Sequence, residues 1–94
     1  MNTDKILFTK SIFALLSQPL SVRIIEYLQE NGEKNVTSIH EDLEIDQSVA
    51  SNQLGLMKSR KIVKSRRDAR KTIYSIDIEN YNNYLRIAAE LSDI

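Results

Sequence analysis

The chain has 94 residues, 41% hydrophobic and 28% charged, with 13 basic and 13 acidic side chains. This composition argues against disorder, and the length predicts one domain over residues 1–94, built on a small core. The absence of cysteine excludes disulfides, thiolate metal sites and thiol redox sensing. No apolar run approaches the roughly 20 residues of a membrane span, and the N-terminus lacks a signal-peptide layout, so we expect a cytoplasmic protein with no membrane partner.

The whole chain contains only two glycines and one proline, so turn signals are few and a mostly helical fold is favoured. Apolar residues indicate a first helix at about 4–16. Pro19 suits the first position of a second helix, where its missing N–H is not needed. Four apolar residues of that helix share a face at helical spacing: Leu20, Ile24, Ile25 and Leu28. Gly32 can end it in a left-handed conformation.

Two short helices follow, over about residues 36–60. Val36, Ile39 and Leu43 are spaced for one helical face, and Asp46 is a suitable N-cap for the next helix. In that fourth helix the residues expected to face inward are Val49, Ala50, Leu54 and Met57. Those expected to point outward are Ser48, Ser51, Asn52 and Gln53. This spacing predicts a helix-turn-helix.

The spacing of apolar residues changes from helical to alternating at Ile62, where a strand is expected. A turn is expected at Asp68-Ala69, and a returning strand over 72–76. The hairpin, or wing, is predicted at about 62–76. A closing amphipathic helix is predicted at about 79–92. The fold class is therefore mainly α with a β-hairpin wing, in the order α-α-α-α-β-β-α, which is the layout of a winged helix-turn-helix.

Positive charge is concentrated in residues 58–71, KSRKIVKSRRDARK, which hold eight basic side chains and one acid. A polar helix face or a basic run alone is usually only solvated surface. Together they favour double-stranded DNA, because the second helix of a helix-turn-helix meets base edges and basic side chains neutralise phosphates. The candidate DNA-binding residues are Gln47, Ser48, Ser51, Asn52, Gln53, Lys58, Arg60, Lys61, Lys64, Arg66, Arg67, Arg70 and Lys71.

The segments LSQPLSVRIIEYL and IHEDLEIDQSVASNQLGLMKSRKIVKSRRDARKTIYSI resemble the ArsR/SmtB family of winged-helix regulators, over roughly residues 12–78. The stretch from Asp46 to Leu54 is similar to the family's recognition helix, and that from Arg66 to Tyr74 to its wing. The resemblance implies a homodimeric repressor at an inverted-repeat operator, paired through its first and last helices. The candidate interface residues are Ile6, Phe13, Tyr81, Tyr84, Leu85, Ala88 and Leu91. In a monomer, the apolar stripe of the last helix would only cover the core.

Three departures from the family pattern carry expectations of their own. Asn52-Gln53 replaces a usual Arg-His pair, so the centre of the recognition helix is uncharged. Lys61 replaces a common glycine, which implies strain if that position needs positive φ. The family's metal sensors use Cys in the third helix, where this chain has Asn35 and Thr37, or Asp, His and Glu in the last. His40 has no partners at ligand spacing, so we expect it half-buried or at the surface, and we predict no metal and no cofactor.

Two other functions stay open at this point. The uncharged centre of the recognition helix also fits a winged-helix protein-interaction module whose wing docks on an acidic partner. A non-specific architectural DNA binder is the third possibility. The sequence contains no Gly-rich phosphate loop, nucleophile motif or paired carboxylates, so an enzyme is not expected. Neither the operator nor an inducing signal can be deduced from these residues.

Overall fold

A computed structural model describes the backbone of residues 3–92 and the side chains of residues 7–90. Its elements are α1 (Thr3–Leu16), α2 (Pro19–Asn31), β1 (Lys34–Asn35), α3 (Val36–Asp42), α4 (Gln47–Ser59), β2 (Val63–Asp68), β3 (Lys71–Ile76) and α5 (Ile78–Ser92). The predicted fold class, mainly helical with a β-hairpin wing, is confirmed.

The strand β1 was not predicted. It pairs antiparallel with β3, with Lys34 opposite Tyr74 and Asn35 opposite Ile73, and the sheet has the order β1-β3-β2. Asn35 also begins α3, because its side-chain oxygen accepts the Ser38 N–H at 2.8 Å. The wing is therefore attached to the body of the protein at the start of the helix-turn-helix.

The core lies where α2 meets α4 and the base of the wing. Its buried members are Leu15, Ile24, Ile25, Tyr27, Leu28, Ile39, Leu54, Met57, Ile62 and Val63. The predicted inward face of α2 is confirmed, with Leu20 packed at the edge of this cluster. Each large aliphatic side chain buried here contributes about 1.5–3 kcal/mol relative to exposure.

The helix α4 corrects two predicted orientations. Val49, expected inside, is 42% exposed, while Gln53, expected outside, is only 9% exposed. The inward stripe is centred on Ala50, Leu54 and Met57, and Gln53 lies within it, three residues after Ala50 and four before Met57. Val49 falls on the flank of that stripe. A buried amide is tolerated at Gln53 because hydrogen-bond partners meet it there.

Within the described backbone, three non-glycine residues adopt positive φ in tight connections: Glu44 at 56°, Lys61 at 59° and Ala69 at 56°. The Lys61 value meets the condition under which strain is expected there, because this position takes the conformation that glycine prefers. Gly32 has φ 76° and its N–H donates to the Leu28 carbonyl at 2.9 Å, ending α2 as predicted. Asp46 stands at the N-cap of α4, but its side chain caps no backbone N–H of the described helix, which corrects the predicted capping role.

Candidate nucleic-acid interface

The outward face of α4 is polar and open to solvent. Gln47, Ser48, Ser51 and Asn52 are all exposed, as predicted for base-contacting residues. Gly55 lies on the same face, and apart from its two chain neighbours and the nearby backbone of α4 no described atom stands within 4 Å of where its Cβ would be. Packing within the protein therefore does not require glycine at this position. The face is smooth there, so a large partner can approach the backbone closely.

A buried polar contact anchors this helix to α2. The Gln53 side-chain amide donates from Nε2 to Ser21 Oγ at 2.7 Å and to Gln18 Oε1 at 2.8 Å. Ser21 is fully buried, so the amide and the hydroxyl satisfy each other away from water. Gln53 was predicted to contact DNA, but its side chain is directed into the protein. Its role in this geometry is to fix the rotation of α4 about its axis.

The turn between α3 and α4 is held by bonds to α2 and within itself. Arg23 Nη2 donates to the Leu43 carbonyl at 2.6 Å, and the Ile45 N–H donates to the His40 carbonyl at 3.0 Å. The half-buried His40 ring places Nδ1 3.2 Å from the Ile45 carbonyl oxygen, in agreement with its predicted position. These contacts set the angle at which α4 leaves α3.

A tyrosine links α2 to the end of α3. The Tyr27 hydroxyl donates to the Asp42 carboxylate, and burial, followed by this bond and the nearby negative charge, raises the pKa of Tyr27 to about 12. The phenol is therefore neutral near pH 7 and remains a donor. This bond gives Asp42, the last residue of α3, a structural role.

The basic side chains of the wing and of the end of α4 are exposed, although the base of the wing is buried at Ile62 and Val63. Side chains open to solvent are Lys58, Lys61, Lys64, Arg66, Arg67, Arg70 and Lys71. The two-residue loop Ala69-Arg70 joins β2 to β3, and Arg67 Nη1 donates to Thr72 Oγ1 across the strands at 2.9 Å. Arg67 and Arg70 therefore lie at the outer end of the hairpin, where the wing projects farthest from the core.

Arg66 already has a partner in the body of the protein. Its Nη2 lies 2.7 Å from Glu33 Oε1 and its Nε lies 3.3 Å from Oε2. The side chains are 54% and 51% exposed, so water screens the pair. The bond and charge of Arg66 hold the pKa of Glu33 below its usual range. Glu33 therefore stays ionised near neutral pH, and a phosphate group would have to displace its carboxylate to bind Arg66.

Arg60 differs from the other predicted basic contacts, because it is half-buried between helices. Its Nε donates to Ser11 Oγ of α1 at 3.0 Å, and its carbonyl accepts the Tyr84 hydroxyl of α5 at 2.9 Å. Burial raises the pKa of Tyr84. Arg60 thus connects the end of α4 to both terminal helices. It was predicted to add to the charge around the wing, and its guanidinium lies instead against α1.

The residues predicted for the dimer interface separate into two groups. Tyr81 and Tyr84 pack against the core of their own chain, as the core-covering alternative requires. Leu85 is 48% exposed, Phe13 and Ala88 are half-buried, and the side chains of Ile6 and Leu91 lie outside the described residues. A cleft of about 270 Å³ between α2 and α5 is lined by Leu16, Val22, Ile25, Glu26, Gln29, Tyr81 and Leu85.

Across residues 7–90, no group of three or more His, Cys, Asp or Glu side chains is arranged to hold a metal ion. None of the helices between residues 3 and 92 is long and apolar enough to cross a membrane.

The anchored helix with an exposed polar face, followed by a basic hairpin, defines the class: a winged helix-turn-helix DNA-binding domain. Residues 14–65 match the model of the bacterial regulatory protein family arsR. The chain therefore belongs to the ArsR family of DNA-binding transcriptional regulators, as its resemblance indicated, and it is not an enzyme.

Relatives support this assignment at the level of sequence and of fold. The uncharacterized HTH-type transcriptional regulator Rv0081 of Mycobacterium tuberculosis is 30% identical over 79 residues, which are 84% of this chain and 69% of the relative. Its crystal structure superposes with a TM-score of 0.75 at 28% identity, covering 99% of this chain and 92% of that one.

Two further solved structures share the fold at lower identity. The homodimeric winged helix-turn-helix domain of Mycobacterium bovis Mb0332 has a TM-score of 0.77 at 21% identity, over 99% of this chain and 87% of that one. The transcriptional repressor PagR of Bacillus anthracis has a TM-score of 0.67 at 24% identity, over 80% and 85% of the two chains.

Proposed function

We propose that this regulator is a homodimeric, cytoplasmic repressor that binds an inverted-repeat operator in double-stranded DNA, without metal or cysteine-based sensing. The observation that carries the proposal is the exposed, polar face of α4, which runs directly into an exposed hairpin rich in Lys and Arg. Helix-turn-helix proteins insert such a helix into the major groove. The repressor part is supported by the fold shared with PagR, which is a transcriptional repressor.

The contacts divide between the two elements. Base edges meet α4 through Gln47, Ser48, Ser51 and Asn52. Phosphates meet the end of α4 and the wing through Lys58, Lys61, Lys64, Arg67, Arg70 and Lys71. Arg66 joins this group when it leaves Glu33. Gln53 and Arg60 act by positioning α4, because both are engaged inside the protein.

Dimerisation is supported by apolar side chains that the single chain leaves in water. Leu7 and Phe8 on α1 and Leu85 on α5 are exposed, and Leu85 borders the cleft between α2 and α5. Mb0332, which shares the fold, is a homodimer. In this proposal a two-fold axis lies between the terminal helices, and the two copies of α4 meet half-sites about one DNA turn apart.

The absence of metal sensing is supported by the third-helix positions. Asn35 uses its side-chain oxygen to cap α3, and neither it nor Thr37 is a soft ligand. Addition of Zn²⁺ should leave operator binding unchanged within about two-fold, a difference well below the 1–3 kcal/mol of allosteric coupling.

Selection from a random pool of DNA duplexes tests the function directly. We expect enrichment of a palindromic site with two half-sites about 10 base pairs apart. Salt-sensitive binding without an enriched sequence would instead identify an architectural binder. Failure to bind any duplex would favour the protein-interaction module, for which the basic wing is the docking surface.

The dimer is tested separately with Leu85→Glu, which places a charge in the proposed interface. Sedimentation should show a monomer that still binds a single half-site weakly and has lost its preference for the palindrome. Ile78→Glu is the matched control, because Ile78 is also exposed on α5 but lies at the start of the helix. A dimeric Leu85→Glu protein would contradict this interface.

A further inference from the structure

Val49 presents an exposed apolar side chain near the N-terminus of α4, beside the polar face of the helix. It is the third residue of the helix and 42% exposed, and Asn52 follows one turn later. Scattered exposed apolar residues are ordinary. The position of Val49 is not ordinary, because the N-terminal residues of a recognition helix are those that meet base edges.

The chemistry of the major groove offers one apolar group. Thymine presents its C5 methyl there, while every other base edge presents hydrogen-bond donors or acceptors. Valine cannot donate or accept a hydrogen bond, so facing a polar edge it would leave that edge unsatisfied. Facing the thymine methyl it removes apolar surface from water.

The residues near Val49 also favour an adenine–thymine base pair. Asn52 can pair with the N6 and N7 positions of adenine through two hydrogen bonds. Residues 47–57 contain no Lys or Arg, the side chains that most often read guanine. Val49 and Asn52 are separated by about 4.5 Å along the helix axis. That distance is close to the 3.4 Å step between base pairs.

We propose that Val49 is a specificity-determining residue that packs on the C5 methyl of a thymine in each half-site. Asn52 reads an adenine in the same or the adjacent base pair. This inference rests on the proposed function, since it requires α4 to lie in the major groove, and it adds the chemical identity of the base that is read.

Replacement of thymine by deoxyuridine tests the contact, because it removes only the C5 methyl. The probe is the palindromic duplex enriched from the random pool, with each thymine replaced in turn, symmetrically in both half-sites. For the wild-type protein, one position should lower affinity by roughly three- to five-fold per half-site, the effect of one buried methyl group. Val49→Ala should bind the thymine duplex more weakly by a similar factor and should not distinguish thymine from uracil at that position.

Leu56→Ala is the matched control. Leu56 is 50% exposed and lies seven residues after Val49 on the same side of α4, toward its C-terminal end. This variant should keep the full discrimination between thymine and uracil. Alanine is a good helix former and both positions are exposed, so thermal melts should show that each variant remains folded.

The possible results separate the two proposals. If the wild-type protein is insensitive to uracil everywhere, or if Val49→Ala keeps the sensitivity, the thymine contact is wrong while the enriched palindrome still supports the regulator. If no duplex is enriched, the proposed function fails and the inference fails with it.

Discussion

The recognition helix α4 and the wing differ in both charge and attachment. Residues 47–57 carry no charged side chain, whereas residues 58–71 carry eight basic ones and a single acid. The helix is held by a buried apolar stripe and by the amide of Gln53. The wing is exposed and extends from the core as a two-stranded ladder.

This difference assigns separate tasks to the two elements. Phosphate contacts supply affinity that depends on salt and not on sequence, and base contacts supply specificity. A rigidly anchored helix suits recognition, because its side chains must meet base edges at fixed positions. An exposed hairpin suits a phosphate backbone that offers the same charge at every step. Each of the following variants should affect one element and leave the other unchanged.

The largest effect is expected from Arg67→Ala combined with Arg70→Ala at the outer end of the wing. Loss of two phosphate contacts in each half-site should weaken binding to every duplex by roughly ten- to sixty-fold per half-site at 0.1 M salt and reduce the salt slope by about 1 to 2 per half-site. Binding titrations over a range of salt concentrations measure both quantities. Lys10→Ala with Arg86→Ala removes the same charge from α1 and α5 and should leave the slope unchanged. An unchanged slope in the wing variant would show that the wing does not contact phosphate.

Asn52→Ala should produce the complementary result. The preference for the selected duplex over a scrambled one should fall by roughly five- to one-hundred-fold, the discrimination of one bidentate base contact. The salt slope should stay at the wild-type value, since no phosphate contact is lost. Gln47→Ala makes the same kind of change at the first residue of α4, and its loss of preference for the selected duplex is compared with that of Asn52→Ala. A lower slope with intact preference would place Asn52 on the backbone of the DNA.

Ala69→Gly concerns the stability of the wing alone. At φ 56°, alanine is strained and glycine is not, so the free energy of unfolding should rise by up to about 1 kcal/mol, less the entropy that glycine adds to the unfolded chain. Denaturant unfolding measures this change. Ala89→Gly makes the same substitution within α5, where it should lower stability by about 0.5–1 kcal/mol. Destabilisation in both variants would mean that Ala69 is not strained.

Glu33→Gln should have the smallest effect, an increase in DNA affinity of roughly two- to three-fold at low salt that disappears at high salt. The variant releases Arg66 from its ion pair and removes a negative charge near the wing. Because the pKa of Glu33 is held below its usual range, the wild-type carboxylate stays ionised to lower pH than an ordinary glutamate, and the variant should differ from it throughout the neutral range. Glu30→Gln, on α2, removes the same charge from a residue outside the ion pair. Equal effects of both variants would show that net charge, and not Arg66, is responsible.

Sequence alone predicted those parts of the fold that local patterns specify. The helices follow from apolar spacing, and the hairpin from a change of period at Ile62. The likeness to a family with glycine at the position of Lys61 left its φ open, and the structure shows it to be 59°. The strand β1 was missed because Lys34 and Asn35 are too few to display a period, and only β3, some forty residues later, makes them a strand.

The candidate site was predictable in its location but not in its details. Gln53 is polar and was placed outside, because its hydrogen-bond partners, the buried Ser21 and the exposed Gln18, are 32 and 35 residues away in sequence. Val49 is apolar and was placed inside, but it lies beside the buried stripe of α4 and is 42% exposed. The pairing of Arg66 with Glu33 likewise spans 33 residues. The positions of the Gln53 and Arg66 side chains depend on polar partners that are distant in sequence. The spacing of apolar residues does not reveal such partners.

Arg60 has a consequence for how such a regulator can be controlled. Its guanidinium is bonded to α1, its carbonyl to α5, and its backbone closes α4. It is a mechanical coupling between the end of the recognition helix and the two helices proposed to hold the dimer together. In the proposed dimer we expect a shift of either terminal helix to act on α4 through Arg60 and to change the distance between the two recognition helices. A signal acting on the terminal helices could therefore release the operator without touching a DNA-binding residue.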